Sequence, residues 1–131
     1  MRRPTVRIIL SAALAVICAG AWTTAFAAGS AVKAPEKYTT LCASCHGPKG
    51  DGNTPTAEGL KAMVKVRDFT KGDYMNARTD AQLTKVIKEG GASSGMNALM
   101  IAFGSQLSDK EVKDILVFIR SVAKPPYKPK K

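Results

Sequence analysis

Histidine and cysteine are scarce in this chain. Of 131 residues, one is a histidine and three are cysteines. A zinc site usually takes four protein ligands, or three and a water, and this chain offers one histidine directly beside a cysteine. No strand-rich pattern surrounds the cysteines, whereas a thioredoxin-like dithiol lies next to a βαβ unit. The composition therefore argues against a zinc site and against a redox dithiol.

Acidic residues and long apolar runs are also few. The chain has 20 basic and 10 acidic residues, which gives a net charge of +10. Its N-terminal apolar run, 8–20, is shorter than the roughly 20 residues that a membrane-spanning helix needs. Three arginines precede this run and an A-x-A sequence follows it at 25–27, as in a secretory signal peptide. We predict cleavage of residues 1–27 near Ala27/Ala28 and a periplasmic mature protein; an uncleaved anchor is the alternative.

Cleavage at this site would leave one small domain. Loss of the three arginines lowers the net charge to +7, and loss of Cys18 leaves two cysteines. Residues 28–34 are a predicted flexible lead-in, 35–123 the domain, and 124–131 a basic tail of low complexity. We expect the tail to be disordered, with contact to anionic lipid or an acidic partner as the alternative. A nucleic-acid partner is not expected for an exported chain.

The two remaining cysteines and the histidine lie within five residues, Cys42-Ala43-Ser44-Cys45-His46. Residues three or four apart share one face of a helix, so both thiols can reach the edge of one flat ligand while the imidazole lies beneath it. C-x-x-C-H is the attachment motif of a c-type haem. We predict one covalent haem c, with thioether bonds to Cys42 and Cys45 and with its iron bound by His46. A disulfide between the cysteines is the alternative in an exported protein.

Local signals predict three main helices, with no strand and no internal repeat. Pro35, at a first helical position, opens a segment that carries the motif and ends at Gly47. Capping boxes at Thr79 and Ser108 begin the other two helices, and Gly90 ends the first of these. The sequence therefore predicts an all-α fold in which three main helices and long loops enclose the haem.

The central part of the chain has weaker signals. Residues 49–59 are rich in Gly, Pro, Asn and Thr, which predicts a loop. Residues 60–66 are predicted to form a short helix, and residues 67–78 to be irregular.

The second axial ligand of the iron cannot be a histidine, because His46 is the only one. The same fact excludes a second haem of this type. The remaining strong candidates are the methionines after the motif: Met63, Met75, Met96 and Met100. Ligation by histidine and methionine raises the reduction potential of a haem, and the methionines that are not ligands are expected to fill the core.

Five segments follow the motif in the order seen in class I cytochromes c: Asp51-Gly52, Arg67-Asp68-Phe69-Thr70, Gly90-Gly91, Met100-Ile101-Ala102-Phe103-Gly104 and Gln106-Leu107-Ser108-Asp109. Over most of residues 35–122 the chain resembles this family, and especially its small bacterial periplasmic members. The resemblance implies the class I cytochrome c fold and an axial methionine at Met100, in the loop before the last helix. Ile101 stands where the family usually has proline, which fixes φ, and this departure leaves Met96 as a rival ligand.

Two further residues are predicted to support the haem. A ligating histidine normally donates its other ring N–H to a carbonyl or carboxylate. In class I relatives the acceptor lies at a proline after the haem motif, and Pro55 matches that position; loop rigidity is its alternative role. Arg67 is predicted to pair with a haem propionate through its guanidinium, the alternative being a solvated surface arginine.

An iron with two protein ligands has no free position for a substrate, so these residues predict a one-electron carrier and not an enzyme. A haem module with a labile sixth position that binds or senses a small ligand is one alternative. An electron-transfer subunit fixed to a dehydrogenase is another. For a carrier, which we expect to be monomeric, the basic charge favours redox partners with acidic docking faces, although the charge would equally serve solubility.

Overall fold

The computed structural model describes residues 32–128, and within them the chain is helical and forms no strand. The predicted signal peptide and most of the lead-in lie outside the described residues. A 3₁₀ turn, Ala92–Ser94, follows the fifth of six α-helices. The helices are α1 (Glu36–Leu41), α2 (Ala43–His46), α3 (Pro55–Leu60), α4 (Gly72–Asn76), α5 (Asp80–Glu89) and α6 (Asp109–Val122). In this described part, no helix combines the length and the apolar composition that crossing a membrane requires.

The two longest helices begin where their capping boxes predict. The Thr79 side chain accepts a hydrogen bond from the backbone N–H of Gln82, whose side chain accepts one from the Thr79 N–H. Ser108 and Glu111 make the same reciprocal pair at the start of α6. Each pair satisfies two backbone donors that the first turn of a helix leaves open.

The segment that carries the motif is two helices. Pro35 is the N-cap of α1, one position before the first helical residue. Cys42, with φ of −117°, separates α1 from α2. Gly47 ends α2 with φ of 78°, a left-handed value that glycine adopts without strain. The chain can therefore turn sharply directly after His46.

Two short helices differ from the sequence prediction. Helix α3 lies at Pro55–Leu60, almost entirely inside the predicted loop, and it ends at the first residue of the predicted helix. Its start is local, since the Thr54 hydroxyl accepts from the Ala57 N–H and proline suits the first helical position. Helix α4 lies in the segment predicted to be irregular. The Gly72 N–H at its start donates to the carbonyl of Lys124 at 2.9 Å. A local sequence pattern cannot predict this contact, because Lys124 is far from Gly72 along the chain.

The core lies between α6 and the first helix. Val112 and Ile115 of α6 are almost fully buried, as is Tyr38 of α1. The rings of Tyr38 and Phe118 pack with their centroids 4.5 Å apart, a favourable aromatic distance. This packing fixes α1, and with it the start of the motif, against the longest helix.

The first part of the C-terminal tail makes specific contacts with the domain, although the sequence predicted a disordered tail. Lys124 donates its N–H to the carbonyl of Thr70 at 2.9 Å, and it pairs with Lys71 in an isolated parallel bridge. The Arg120 guanidinium lies over the ring of Tyr127, 3.6 Å from its centroid. Residues 124–127, which we call the C-terminal strap, therefore lie against α4 and α6.

Candidate haem site

A cavity of about 670 Å³ lies between the motif and the loops that follow it. This volume is within the range of small-molecule and cofactor pockets, about 300–1,000 Å³. Cys42, Cys45 and His46 line one side, and the loop before α6 lines another. Much of the remaining lining is apolar, from the residues Leu41, Leu60, Val64, Val66, Leu83, Val86, Ile87 and Phe103. A cavity of this kind suits a large flat apolar group.

The imidazole of His46 is held by two groups from the segment after α3. Its Nδ1 lies 3.1 Å from the carbonyl oxygen of Arg67. Its ring stacks on the ring of Phe69, with the centroids 4.4 Å apart and the planes 17° apart. When Nδ1 carries the proton and donates it to this carbonyl, Nε2 is left free to bind a metal.

The backbone of Arg67 thus takes the place predicted for Pro55. Pro55 instead begins α3, and the neighbouring Thr54 hydroxyl donates to the carbonyl of Cys45 at 3.2 Å. The position of Pro55 relative to the haem motif did not identify the group that accepts from His46, because that group belongs to Arg67, 21 residues from His46 along the chain.

Burial lowers the pKa of His46, and the hydrogen bond with the Arg67 backbone opposes this shift. The charged imidazolium is the form that burial disfavours. The ring is therefore kept neutral, which is the form that binds a metal.

Tyr38 supports the turn after His46, a role that the sequence reasoning missed. Its hydroxyl donates to the carbonyl of Gly47 at 2.7 Å, and the Gly52 N–H donates to the carbonyl of His46 at 2.8 Å. Burial raises the pKa of Tyr38, so the hydroxyl stays a donor. The available signal was a tyrosine on the apolar face of a helix, since a buried tyrosine hydroxyl usually needs a partner.

The two cysteines both face the cavity and are not joined by a disulfide. Burial, with a smaller contribution from the charge of Cys45, raises the pKa of Cys42 to about 11. A redox dithiol needs a lowered thiol pKa, so this environment argues against that alternative. Among residues 32–128, no group of three or more His, Cys, Asp or Glu side chains is arranged to hold a metal ion.

Three of the four candidate methionines line the cavity, and Met63 does not. Met75 is 1% exposed and belongs to the core as well. Met96 and Met100 are both half-buried and lie in the loop between α5 and α6. Met75, Met96 and Met100 therefore all remain candidate ligands, and the two rivals named from the sequence, Met96 and Met100, share one loop.

Backbone contacts hold the Met100 loop against the end of α5. The Gly91 N–H donates to the carbonyl of Met100 at 2.7 Å, and the N–H of Phe103 donates to the carbonyl of Ile87 at 3.0 Å. A Cβ at Gly90 would lie 3.0 Å from the Met100 oxygen, so the approach requires glycine there. Ile101 is 57% exposed, and these bonds hold the loop without the proline that the family usually has.

A cationic wall, formed by Arg67, Tyr74 and Arg78, lines another part of the cavity. The Arg78 guanidinium lies 3.8 Å from the centroid of the Tyr74 ring and that of Arg67 lies 4.2 Å from it. The Tyr74 hydroxyl is buried and finds no hydrogen-bond partner among residues 32–128. A buried unpaired hydroxyl is costly, so this wall fits a ligand that brings an anionic acceptor, as a haem propionate does.

Comparison with known proteins agrees with this geometry. A family model for cytochrome c matches residues 31–123. The chain belongs to the cytochrome c family. The solved structure of the KustC0563 c-type cytochrome is similar, with 29% sequence identity and a TM-score of 0.53; the alignment covers 66% of this chain and 93% of that one. No curated protein sequence matches the chain.

Membership of the cytochrome c family confirms the predicted cofactor and fold class. Members of this family bind covalent haem c with its iron, and they generally carry electrons between redox partners. The all-α fold enclosing a cofactor site agrees with the helices and the cavity described above. The chain is therefore a haem c electron-transfer protein of the cytochrome c family.

Proposed function

We propose that this cytochrome c is a periplasmic one-electron carrier with one haem, whose iron is held by His46 and Met100. The observation that carries the proposal is that one apolar cavity is lined by both cysteines, by His46 and by Met100. In this proposal Cys42 and Cys45 form the thioethers. The haem, when bound, supplies a one-electron iron couple.

The protein's own residues prepare the site for that couple. The Arg67 carbonyl and the Phe69 ring orient His46, and its lowered pKa keeps it neutral. Much of the lining is apolar, and the cationic wall offers donors to the propionates, with Arg67 in the role predicted for it. The backbones of Met96 and Met100 are both bonded to Gly91, so Met100 is preferred because it matches the position of the axial methionine in class I cytochromes c.

Export from the cytoplasm is part of the proposal. It rests on the N-terminal pattern of arginines, apolar run and A-x-A sequence. A carrier outside the cytoplasm also gains from thioether bonds, because they prevent loss of the cofactor.

The alternative function is a haem module with a labile sixth position, and Ile101 in place of the usual proline favours it. The two functions differ in how the reduced protein responds to carbon monoxide. An iron held by a firm thioether should not bind this gas, whereas a labile position should.

The test uses the protein purified separately from the periplasmic and the membrane fractions of cells that mature c-type cytochromes. Mass spectrometry should give residues 28–131 plus one haem, and the reduced absorption spectrum should be unchanged by carbon monoxide. An unmodified mass would contradict the haem assignment, and a chain that begins at Met1 in the membrane fraction would contradict cleavage. A large spectral change with carbon monoxide would replace the carrier by the ligand-binding function.

A further inference from the structure

Arg120 of α6, which is not among the residues that line the cavity, bonds to α4, to the start of α5 and to the residues between them. Its side chain is 10% exposed. It donates to the carbonyl of Met75 and to the carbonyl of Arg78, both at 2.6 Å, and to the Asp80 carboxylate at 2.9 Å. A guanidinium is a rigid planar donor that fixes the groups it binds. Arg120 therefore ties the segment from α4 to the start of α5 onto α6.

The C-terminal strap covers this arginine. The ring of Tyr127 lies 3.6 Å from the Arg120 guanidinium carbon. The Asn76 amide donates to the carbonyl of Pro125 at 3.0 Å. Gly72, at the start of α4, donates its N–H to Lys124 at 2.9 Å. The strap is thus attached to both ends of α4 and to the arginine that holds the segment after it.

The segment that Arg120 holds carries two of the three residues of the cationic wall. Tyr74 is in α4, Arg78 follows it, and both side chains line the cavity. One of the two carbonyls that Arg120 holds belongs to Arg78 itself. A displacement of Arg120 or of the strap would therefore move the guanidinium of Arg78 relative to the cavity.

We propose that Arg120 and the C-terminal strap, through Tyr127, are positioning residues that fix Tyr74 and Arg78 at the haem site and thereby raise its reduction potential. The inference rests on the proposed function. Oxidation adds one positive charge to the site, and a cation fixed at the cavity opposes that charge. A loosened wall would admit water, which screens the same cation.

The experiment compares Tyr127→Ala with Tyr127→Phe in the full-length holoprotein. Phenylalanine keeps the ring face that attracts the guanidinium, so the reduction potential of Tyr127→Phe should equal that of the wild type. Alanine removes the face, and we expect the equilibrium constant for reduction to fall about threefold, which is roughly 30 mV for one electron. Asn76→Ala, which releases the strap at Pro125, should shift the potential in the same direction.

A double-mutant cycle tests whether the strap acts through the wall. In an Arg78→Met background, Tyr127→Ala should shift the potential far less than in the wild type, because the positioned cation is gone. Equal shifts in both backgrounds would reduce the strap to a general stabilising contact and overturn the proposal.

Hydrogen exchange at the Gly72 amide reports whether the strap has loosened. The proposal would also be overturned if a variant loosened the strap and left the reduction potential unchanged. It would equally be overturned if neither Tyr127→Ala nor Asn76→Ala loosened the strap. Absence of covalent haem or of a reversible one-electron couple in the wild type would instead contradict the proposed function.

Discussion

At the residue scale, the environment of His46 depends on partners that the haem motif does not contain. The motif supplies the imidazole and both thiols within five positions. Arg67 and Phe69 then orient the imidazole, and Tyr38 holds the turn that follows it. The local spacing therefore predicts which atoms bind the haem, whereas the path of a distant loop decides how the ring is held.

Met100 and Met96 give the sharpest residue-scale prediction, because they share one loop and one cavity. Met100→Ala should remove almost all of the weak near-infrared band that a thioether–iron bond gives in the oxidised state. It should also lower the reduction potential and let the reduced iron bind carbon monoxide. Met96→Ala is the matched control, and its spectra and potential should be nearly those of the wild type. The reverse behaviour of the two variants would assign the ligand to Met96.

At the scale of elements, the end of α5 determines where the Met100 loop lies. A Cβ at Gly91 would overlap the carbonyl oxygen of Asn97 and would lie 3.2 Å from the Met100 Cβ. Gly91→Ala should therefore displace the loop, weaken the near-infrared band and lower the free energy of unfolding by about 1–3 kcal/mol. Thermal unfolding and the oxidised spectrum measure the two effects.

Gly59→Ala is the control for this substitution. A Cβ at Gly59, within α3, meets no atom within 4 Å. The free energy of unfolding of Gly59→Ala should be unchanged or higher than that of the wild type, since alanine restricts the conformations of the unfolded chain. An unchanged near-infrared band in Gly91→Ala would show that Gly91 does not position Met100.

The elements also show how far the sequence could predict the fold. Helices α5 and α6 were predicted because a capping box joins groups three residues apart. Helix α3 has a similar signal at Thr54, which the glycine and proline content of its surroundings obscured. Helix α4 and the Arg67 carbonyl beside His46 depend on contacts with residues far along the chain, so no local pattern predicts them.

At the scale of the whole molecule, the acidic side chains are too few to neutralise the basic ones by forming ion pairs. Six acidic side chains are paired with a lysine or arginine in the described residues, out of 10 in the chain. The excess of basic residues is therefore not neutralised internally. Lys65 is exposed and lies at the cavity, whereas Lys113 is exposed on α6 and is not part of the cavity lining.

This difference between two lysines allows a test of electrostatic steering. The rate of electron transfer to an anionic reagent such as ferricyanide should fall several-fold as salt rises, because the screening length shortens to about 10 Å at 0.1 M. Lys65→Glu should reduce the rate at low salt more than Lys113→Glu, although both change the net charge equally. Stopped-flow mixing over a salt series measures both effects. Equal losses would mean that the total charge governs the encounter, and a flat salt dependence in the wild type would leave the basic surface a role in solubility alone.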